Sequence, residues 1–111
     1  MKLVIYVMNN THLLDKFLKE LHTQGIKGAT IISSTGMGRK LYQNEDYQFI
    51  GGLRALFEGT RPESNVILMV VEDEQVEKIY QIIDLVVGDL TKPNSGIAFA
   101  LPLESVKGYK G

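Results

Sequence analysis

The order in which strand-like and helix-like patterns follow one another restricts the fold of this chain more than any other feature. Four segments are short, apolar and rich in β-branched residues, as expected for strands. Two further segments carry apolar residues at helical spacing, and they follow the first and the third strand. The strand segments are KLVIYVM at 2–8, GATIISS at 28–34, NVILMVV at 65–71 and IAFALPL at 97–103. The helix segments carry Leu13, Leu14, Phe17, Leu18 and Leu21, and Val76, Ile79, Tyr80, Ile83, Val86 and Val87.

This order, βαββαβ, is that of the ferredoxin-like fold, which is built from split βαβ units. Right-handed crossovers place both helices on one face of a four-stranded antiparallel sheet. The first and third strands then lie inside the sheet, and the second and fourth strands form its edges. The sequence therefore predicts an α+β fold in a single domain over residues 1–111, a length that suits one domain.

The inner strands are apolar on both faces. In the third strand, one face carries Val66, Leu68 and Val70, and the other carries Ile67, Met69 and Val71. The first strand has the same two-sided pattern. Two helices can cover only one face of a sheet, so the other face would expose a large apolar patch in a monomer. We therefore expect a second subunit to cover that face, which makes the protein a homo-oligomer.

A long segment joins the second strand to the third, where a short hairpin would be enough. Its aromatic and charged side chains are suited to contact with another protein. They are Tyr42, Asp46, Tyr47, Phe49 and Arg61. We interpret the segment as a partner-binding arm, and the alternative is an insertion without a role.

Two glycine-containing turns and a basic tail are the candidate anion-binding features. The turns are STGMGRK at 34–40 and TKPNSG at 91–96, and the tail carries Lys107 and Lys110. Glycines at a strand end can present successive N–H groups to an anion, and Arg39 would add a guanidinium group. A plain turn is the alternative for each, and no helix pattern directly follows GMGRK. Because the turns border opposite edges of the sheet, they could form a phosphate cleft only across a subunit boundary.

The chain has no catalytic or metal-binding set that the sequence reveals. It lacks cysteine, which excludes disulfides, zinc-thiolate sites and a cysteine nucleophile. His12 and His22 are too far from a common helix face to bind one metal ion together. Glu72, Asp73 and Glu74 precede the second helix, where we expect them to act as helix caps. We therefore predict a protein that is not an enzyme and holds no metal.

Composition also excludes several classes of partner. The net charge of −1 gives no field that would attract nucleic acid. The apolar run at residues 3–8 is too short for a signal peptide or a membrane span. We therefore predict no nucleic-acid binding and no direct membrane insertion, and the absence of cysteine fits a cytoplasmic location.

Taken together, these motifs resemble those of the PII signalling proteins over nearly the whole chain. The resemblance rests on the βαββαβ order, a strand ending in TGMGRK, a long loop before VILMVVEDE, the run GDLTKPNSGIAFALP and the basic tail. It implies a cytoplasmic homotrimer in signal transduction and nitrogen regulation, which binds an adenine nucleotide in each of its inter-subunit clefts. The family's T-loop, here about 36–64, would dock on a transporter, enzyme or regulator. The B-loop corresponds to about 88–96, and the C-terminal tail to 103–111.

The positions that align with the family's nucleotide site fall into four groups. Those near the base are Val7, Thr30 and Val70. Those in the turn at the foot of the T-loop are Gly36, Met37, Gly38 and Arg39. Those in or beside the phosphate-cradling B-loop are Lys92, Asn94, Ser95 and Gly96. Those near the family's phosphate-binding arginines are Lys107 and Lys110.

Several positions differ from the family pattern, so the chain resembles a divergent branch of the family. Asn94 replaces the first glycine of the B-loop, and Lys107 and Lys110 stand in place of the two arginines. Ile97 follows Gly96 where the family has a lysine, and Lys40 replaces a glutamine that helps to bind 2-oxoglutarate through magnesium and ATP. The resemblance therefore implies ATP, ADP or AMP as the effector, and magnesium could accompany it.

Other families share this order of strands and helices. A CutA-like trimer linked to metal tolerance is one alternative, although the chain lacks cysteine and a paired-histidine site. An acylphosphatase-like enzyme is another, but it needs an anion-binding loop after the first strand. The segment MNNTH there has neither arginine nor glycine. RNA binding through the sheet would need aromatic residues that the third strand lacks.

Overall fold

The computed structural model describes residues 1–43, 63–93 and 95–110. Its strands are β1 (Lys2–Met8), β2 (Thr30–Ser34), β3 (Ser64–Val71) and β4 (Gly96–Pro102). Its helices are α1 (Leu14–Thr23), α2 (Met37–Gln43) and α3 (Gln75–Val86), and a 3-10 turn at Thr11–Leu13 leads into α1.

The four strands form one antiparallel sheet in the order β2-β3-β1-β4. The prediction of a ferredoxin-like α+β fold, with β1 and β3 inside the sheet, is therefore confirmed. Met8 pairs with Asn65 on β3 and with Gly96 on β4. Ser34 pairs with Ser64 at the same end of the sheet. The end of β2 and the start of β4 consequently lie at one end of the sheet, on opposite edges.

One face of the sheet packs against α1 and α3 and forms the core. The buried strand residues on this face are Val4, Tyr6, Met8, Ile67, Met69 and Val71. They pack against buried helix residues, namely Phe17, Leu21, Ile79, Ile82 and Ile83. Each such side chain contributes about 1.5–3 kcal/mol of transfer free energy, so this layer holds the helices on the sheet.

The opposite face of the sheet, called the open face below, is also apolar. Its members are Leu3, Ile5, Val7, Thr30, Ile32, Ser34, Ser64, Val66, Leu68, Val70, Ile97, Phe99 and Leu101, which share a face through their cross-strand pairing. Phe99 is 43% exposed and Ile97 is 59% exposed. In the described part of the chain, neither α1 nor α3 packs on this side. The two-sided apolar pattern of β1 and β3 is therefore real, and α1 and α3 cover only one of the two sides.

Helix α2 begins at Met37, inside the glycine turn at 34–40, where the sequence predicted a turn without a helix. The amide of Lys40 donates to the carbonyl of Gly36 at 3.0 Å and closes the first turn of this helix. The prediction was wrong because α2 has only seven residues and contains Gly38, which lowers helix propensity. Most of the predicted partner-binding arm, including Asp46 and Arg61, lies outside the described residues.

The acidic residues before α3 have a different role from the one predicted. Glu74 occupies the N-cap position, but its side chain makes no capping hydrogen bond. Asp73 Oδ1 instead accepts a hydrogen bond from the N-terminal ammonium of Met1 at 2.9 Å. This hydrogen bond, together with the charge of the ammonium group, lowers the pKa of Asp73. The expectation of side-chain caps from Asp73 and Glu74 was therefore wrong.

Tyr6 is a polar residue inside the core. Its ring packs edge-on against Phe17, with centroids 5.3 Å apart. Its hydroxyl is buried and has no hydrogen-bond partner among the residues that the structure describes. Burial raises the pKa of Tyr6 to about 12.

We expect Tyr6→Phe to leave stability unchanged or to raise it by up to about 1 kcal/mol, because it removes an unsatisfied buried hydroxyl and keeps the ring. Urea unfolding of both proteins at one concentration would measure this difference. A loss of more than about 1 kcal/mol would contradict it and would mean that the hydroxyl has a partner.

Candidate functional site

A cavity of about 720 Å³ lies where the chain between α1 and β2 meets the C-terminal tail; we call it the tail cavity. Its apolar wall includes Leu3, Leu68 and Val70. Thr30 and Gln75 line it with neutral polar side chains. Its volume lies within the range of roughly 300–1,000 Å³ that is typical of small-molecule sites.

The charges that line the tail cavity are all positive. Among the described residues, Lys27 and Lys110 are the charged ones in its lining, and no carboxylate lines it. The chain as a whole has a net charge of −1, so this concentration of positive charge is local. An apolar wall beside a threonine and two lysines suits a ligand with an apolar part and an anionic part.

The end of α1 places Lys27 at the cavity. The amide of Ile26 donates to the carbonyl of Leu21 at 2.9 Å, and that of Gly25 donates to His22 at 3.2 Å. These two bonds end the helix in a Schellman motif and bury Ile26 in the core. The next residue, Lys27, is exposed and is one of the residues that line the cavity.

The tail reaches the cavity from the far edge of the sheet. At the end of β4, the amide of Leu103 donates to the carbonyl of Met1 at 3.1 Å. From there the tail runs toward β3, so that Tyr109 and Lys110 line the cavity beside Val70. Residues distant in the sequence thus form one site.

The B-loop before β4 is held by a different set of contacts. Asp89 Oδ1 accepts hydrogen bonds from the hydroxyl of Thr91 at 2.7 Å and from its amide at 2.8 Å. Both hydrogen bonds lower the pKa of Asp89, and the one from the Thr91 hydroxyl has the larger effect. The positive charge of Lys92 lowers this pKa further. Asp89 is therefore ionised at neutral pH, and its charge offsets that of Lys92.

The structure brings together some of the predicted nucleotide-site residues and separates others. Thr30, Val70 and Lys110 line the tail cavity. Lys107 is exposed in the tail and does not line this cavity. Val7 lies on the open face and pairs with Ile97, one residue beyond Gly96.

The glycine turns are far from each other within one chain. Gly36 precedes α2 and Gly38 lies inside it, whereas Ser95 and Gly96 lie at the opposite edge of the sheet. Three inter-strand spacings separate the edges, which amounts to about 14 Å. Met37 is exposed, the side chain of Arg39 is not among the described groups, and Asn94 lies outside the described residues.

Sequence reasoning missed several residues of the tail cavity. Lys27, Gly28, Gln75 and Tyr109 line it but were not predicted. No pattern in the sequence distinguishes these residues, and even at Gly28 an added Cβ would meet nothing within 4 Å.

Two classes of site find no support in the described residues. Within residues 1–43, 63–93 and 95–110, no group of three or more His, Cys, Asp or Glu side chains could hold a metal ion. Over the same ranges, no helix has the length and apolar character needed to cross a membrane.

The chain folds as a ferredoxin-like domain with a largely apolar cavity that two lysines help to line. The model of the family "Nitrogen regulatory protein P-II" matches residues 1–110. The chain therefore belongs to the P-II family, and the resemblance inferred from its motifs is confirmed. Proteins of this family are generally non-enzymatic signalling proteins that form trimers, bind adenine nucleotides and interact with partner proteins. No curated protein sequence matches the chain.

Proposed function

We propose that this protein is a trimeric regulator that binds an adenine nucleotide between subunits and controls a partner protein through its T-loop. One observation carries the proposal. Leu3, Leu68 and Val70 belong both to the open face and to the wall of the tail cavity. A subunit that packs on the open face would therefore border the cavity, and the ligand would lie at a subunit boundary.

The case for self-association rests on the apolar chemistry of the open face. Most of its members are aliphatic or aromatic, and the exceptions are Thr30, Ser34 and Ser64. Patches of this kind are rare on monomers and typical of permanent interfaces. A closed ring of three copies would cover one open face per subunit and leave no chain unpaired.

The case for a nucleotide rests on the tail cavity. Val70 offers an apolar contact for a base, and the Thr30 hydroxyl can bond to the polar edge of the base. The turn at Gly36–Arg39 and the loop residues Lys92, Ser95 and Gly96 are proposed to join the site from the sheet edges. In an assembly, these edges can approach the cavity of a neighbouring copy.

The partner is proposed to bind the segment of about 36–64, of which residues 44–62 lie outside the described part. Family membership is the support for this role. The partner would be a transporter, an enzyme or a regulator in the cytoplasm.

Two measurements on the purified protein test the proposal. Light scattering after gel filtration should give three times the chain mass of 12.4 kDa. Calorimetry with AMP, ADP, ATP and cyclic AMP should detect binding of at least one of them. A monomer at micromolar concentration would contradict the assembly. No binding of any of the four at millimolar concentration would contradict the ligand class.

A further inference from the structure

We propose that Ser34 and Ser64 form a hydroxyl clasp that holds the two ends of the T-loop at a fixed separation. Ser34 ends β2 and Ser64 begins β3, and the two residues are the last cross-strand pair before the segment 35–63. The inference rests on the proposed function only in giving that segment a partner. It deepens the proposal by naming residues that position the partner-binding arm.

The clasp consists of three hydrogen-bond contacts between the same two residues. The two Oγ atoms lie 2.8 Å apart, and either hydroxyl can be the donor. Ser34 Oγ lies 3.3 Å from the carbonyl oxygen of Ser64, and Ser64 Oγ lies 3.4 Å from that of Ser34. Each hydroxyl has one hydrogen, so one can donate to the other hydroxyl while the second donates to a carbonyl. Both hydroxyl groups are therefore satisfied within the pair.

The two ends of the clasp differ in burial. Ser64 is 3% exposed, whereas Ser34 is half-buried. A buried hydroxyl that loses its partner has a desolvation cost, and a hydroxyl that water can reach avoids most of this cost. Ser64 therefore depends on Ser34 more than Ser34 depends on Ser64. This inequality gives the clasp a signature that a pair of surface serines would lack.

The end of β2 has little else to hold it. β2 lies at the edge of the sheet, and none of its residues is buried. Thr35 and Gly36, which follow it, are exposed, and an added Cβ at Gly36 would meet nothing within 4 Å. Strand ends with few buried contacts are where local opening begins. The hydroxyl pair closes the β2–β3 ladder at this point.

The clasp also determines where the arm leaves the sheet. Helix α2 begins at Met37, just beyond Ser34, and the amide of Lys40 donates to the carbonyl of Gly36 at 3.0 Å. A helix of seven residues is too short to be stable alone, so its position depends on the chain that leads into it. Through Ser34 and Ser64, the start of α2 is tied to the chain that returns to β3. A partner of the arm therefore meets both ends in one arrangement.

The test measures amide hydrogen exchange by mass spectrometry in the wild type and three variants at one protein concentration. Ser34→Ala should speed exchange at 30–34 and 64–66 about tenfold, because the buried Ser64 hydroxyl loses its nearest partner. Ser64→Ala should speed it only about threefold, since water can reach the hydroxyl that remains. Ser33→Ala is the matched control, because Ser33 is the neighbouring serine of β2 and its exposed side chain lies on the other face of the sheet. It should change exchange less than about twofold.

Two further variants check the role of the hydroxyl groups. Ser34→Thr keeps a hydroxyl at the same position and should stay within about twofold of the wild type. The double variant of Ser34→Ala and Ser64→Ala should exchange no faster than Ser34→Ala, because it leaves no buried hydroxyl without a partner. Exchange in the double variant equal to the product of the two single effects would contradict a direct bond between the side chains.

The outcomes separate the clasp from the proposed function. Faster exchange at the ends of β2 and β3, with unchanged exchange in β1, supports the clasp. An equal increase in β1 would mean that the pair stabilises the whole domain, and no increase in Ser34→Ala would mean that it holds nothing. Either result overturns the inference. The measurement needs neither nucleotide nor partner, so a monomer that binds no nucleotide would refute the proposed function and leave the clasp standing.

Discussion

Replacing Phe99 with glutamate is expected to give a folded monomer. Phe99 lies in the central cross-strand row of the open face, beside Ile5, and is 43% exposed in the single chain. The single chain can therefore hydrate a carboxylate at this position. In an assembly that covers the open face, the same carboxylate would be buried without a partner, at a cost of about 3–5 kcal/mol per subunit. Gel filtration with light scattering measures the mass, and circular dichroism checks the fold.

Ala100→Glu is the matched control for this change. Ala100 is the next residue of β4, is also exposed, and pairs with Val4, which lies on the helix-covered face. The same charge is thus added one residue away, on the other side of the sheet. We expect this variant to keep the mass of the wild type. If Phe99→Glu also keeps that mass, the open face is not the interface between subunits.

The sequence predicts the strand order but not which face of the sheet the helices cover. In β1, Leu3 and Ile5 on one face are about as apolar as Val4 and Tyr6 on the other. The pattern therefore does not show which face forms the core. The choice is made by α1 and α3, whose positions depend on the handedness of the crossovers. The two-sided pattern does predict that something must cover the second face.

The candidate site is only partly predictable, because its two halves are close in space and distant in sequence. The resemblance supplied Thr30, Val70 and Lys110, all of which line the tail cavity. Lys27 has no distinguishing pattern in the sequence, since it is one exposed lysine between a helix and a strand. Its position becomes informative only when the tail is seen to bring Lys110 to the same cavity.

The start of β4 requires a glycine for a structural reason that the sequence motif does not reveal. The family resemblance implies that Gly96 belongs to a phosphate-cradling loop, but the backbone of Gly96 also lies against β1. Its φ is +103°, and an added Cβ would overlap the carbonyl oxygen of Val7 and lie 3.1 Å from the carbonyl carbon. A packing requirement alone is therefore enough to demand glycine here.

We accordingly expect Gly96→Ala to lower the free energy of unfolding by about 3–5 kcal/mol. The left-handed conformation contributes about 1–3 kcal/mol of strain, and the overlap with Val7 must be relieved by moving β4 away from β1. This is a large part of the stability of an ordinary domain, which is about 5–15 kcal/mol. Urea or thermal unfolding at one fixed protein concentration measures the loss, because the stability of an oligomer depends on concentration.

Gly88→Ala separates the two causes, since Gly88 has the same φ of +103° but nothing within 4 Å of an added Cβ. Its loss should be only about 1–2 kcal/mol, from the backbone conformation alone. The difference between the two variants then measures the contact between Gly96 and Val7. Equal losses would contradict the steric explanation. In that case the glycine would be needed for its conformation alone, as a loop that presents backbone amides to an anion would require.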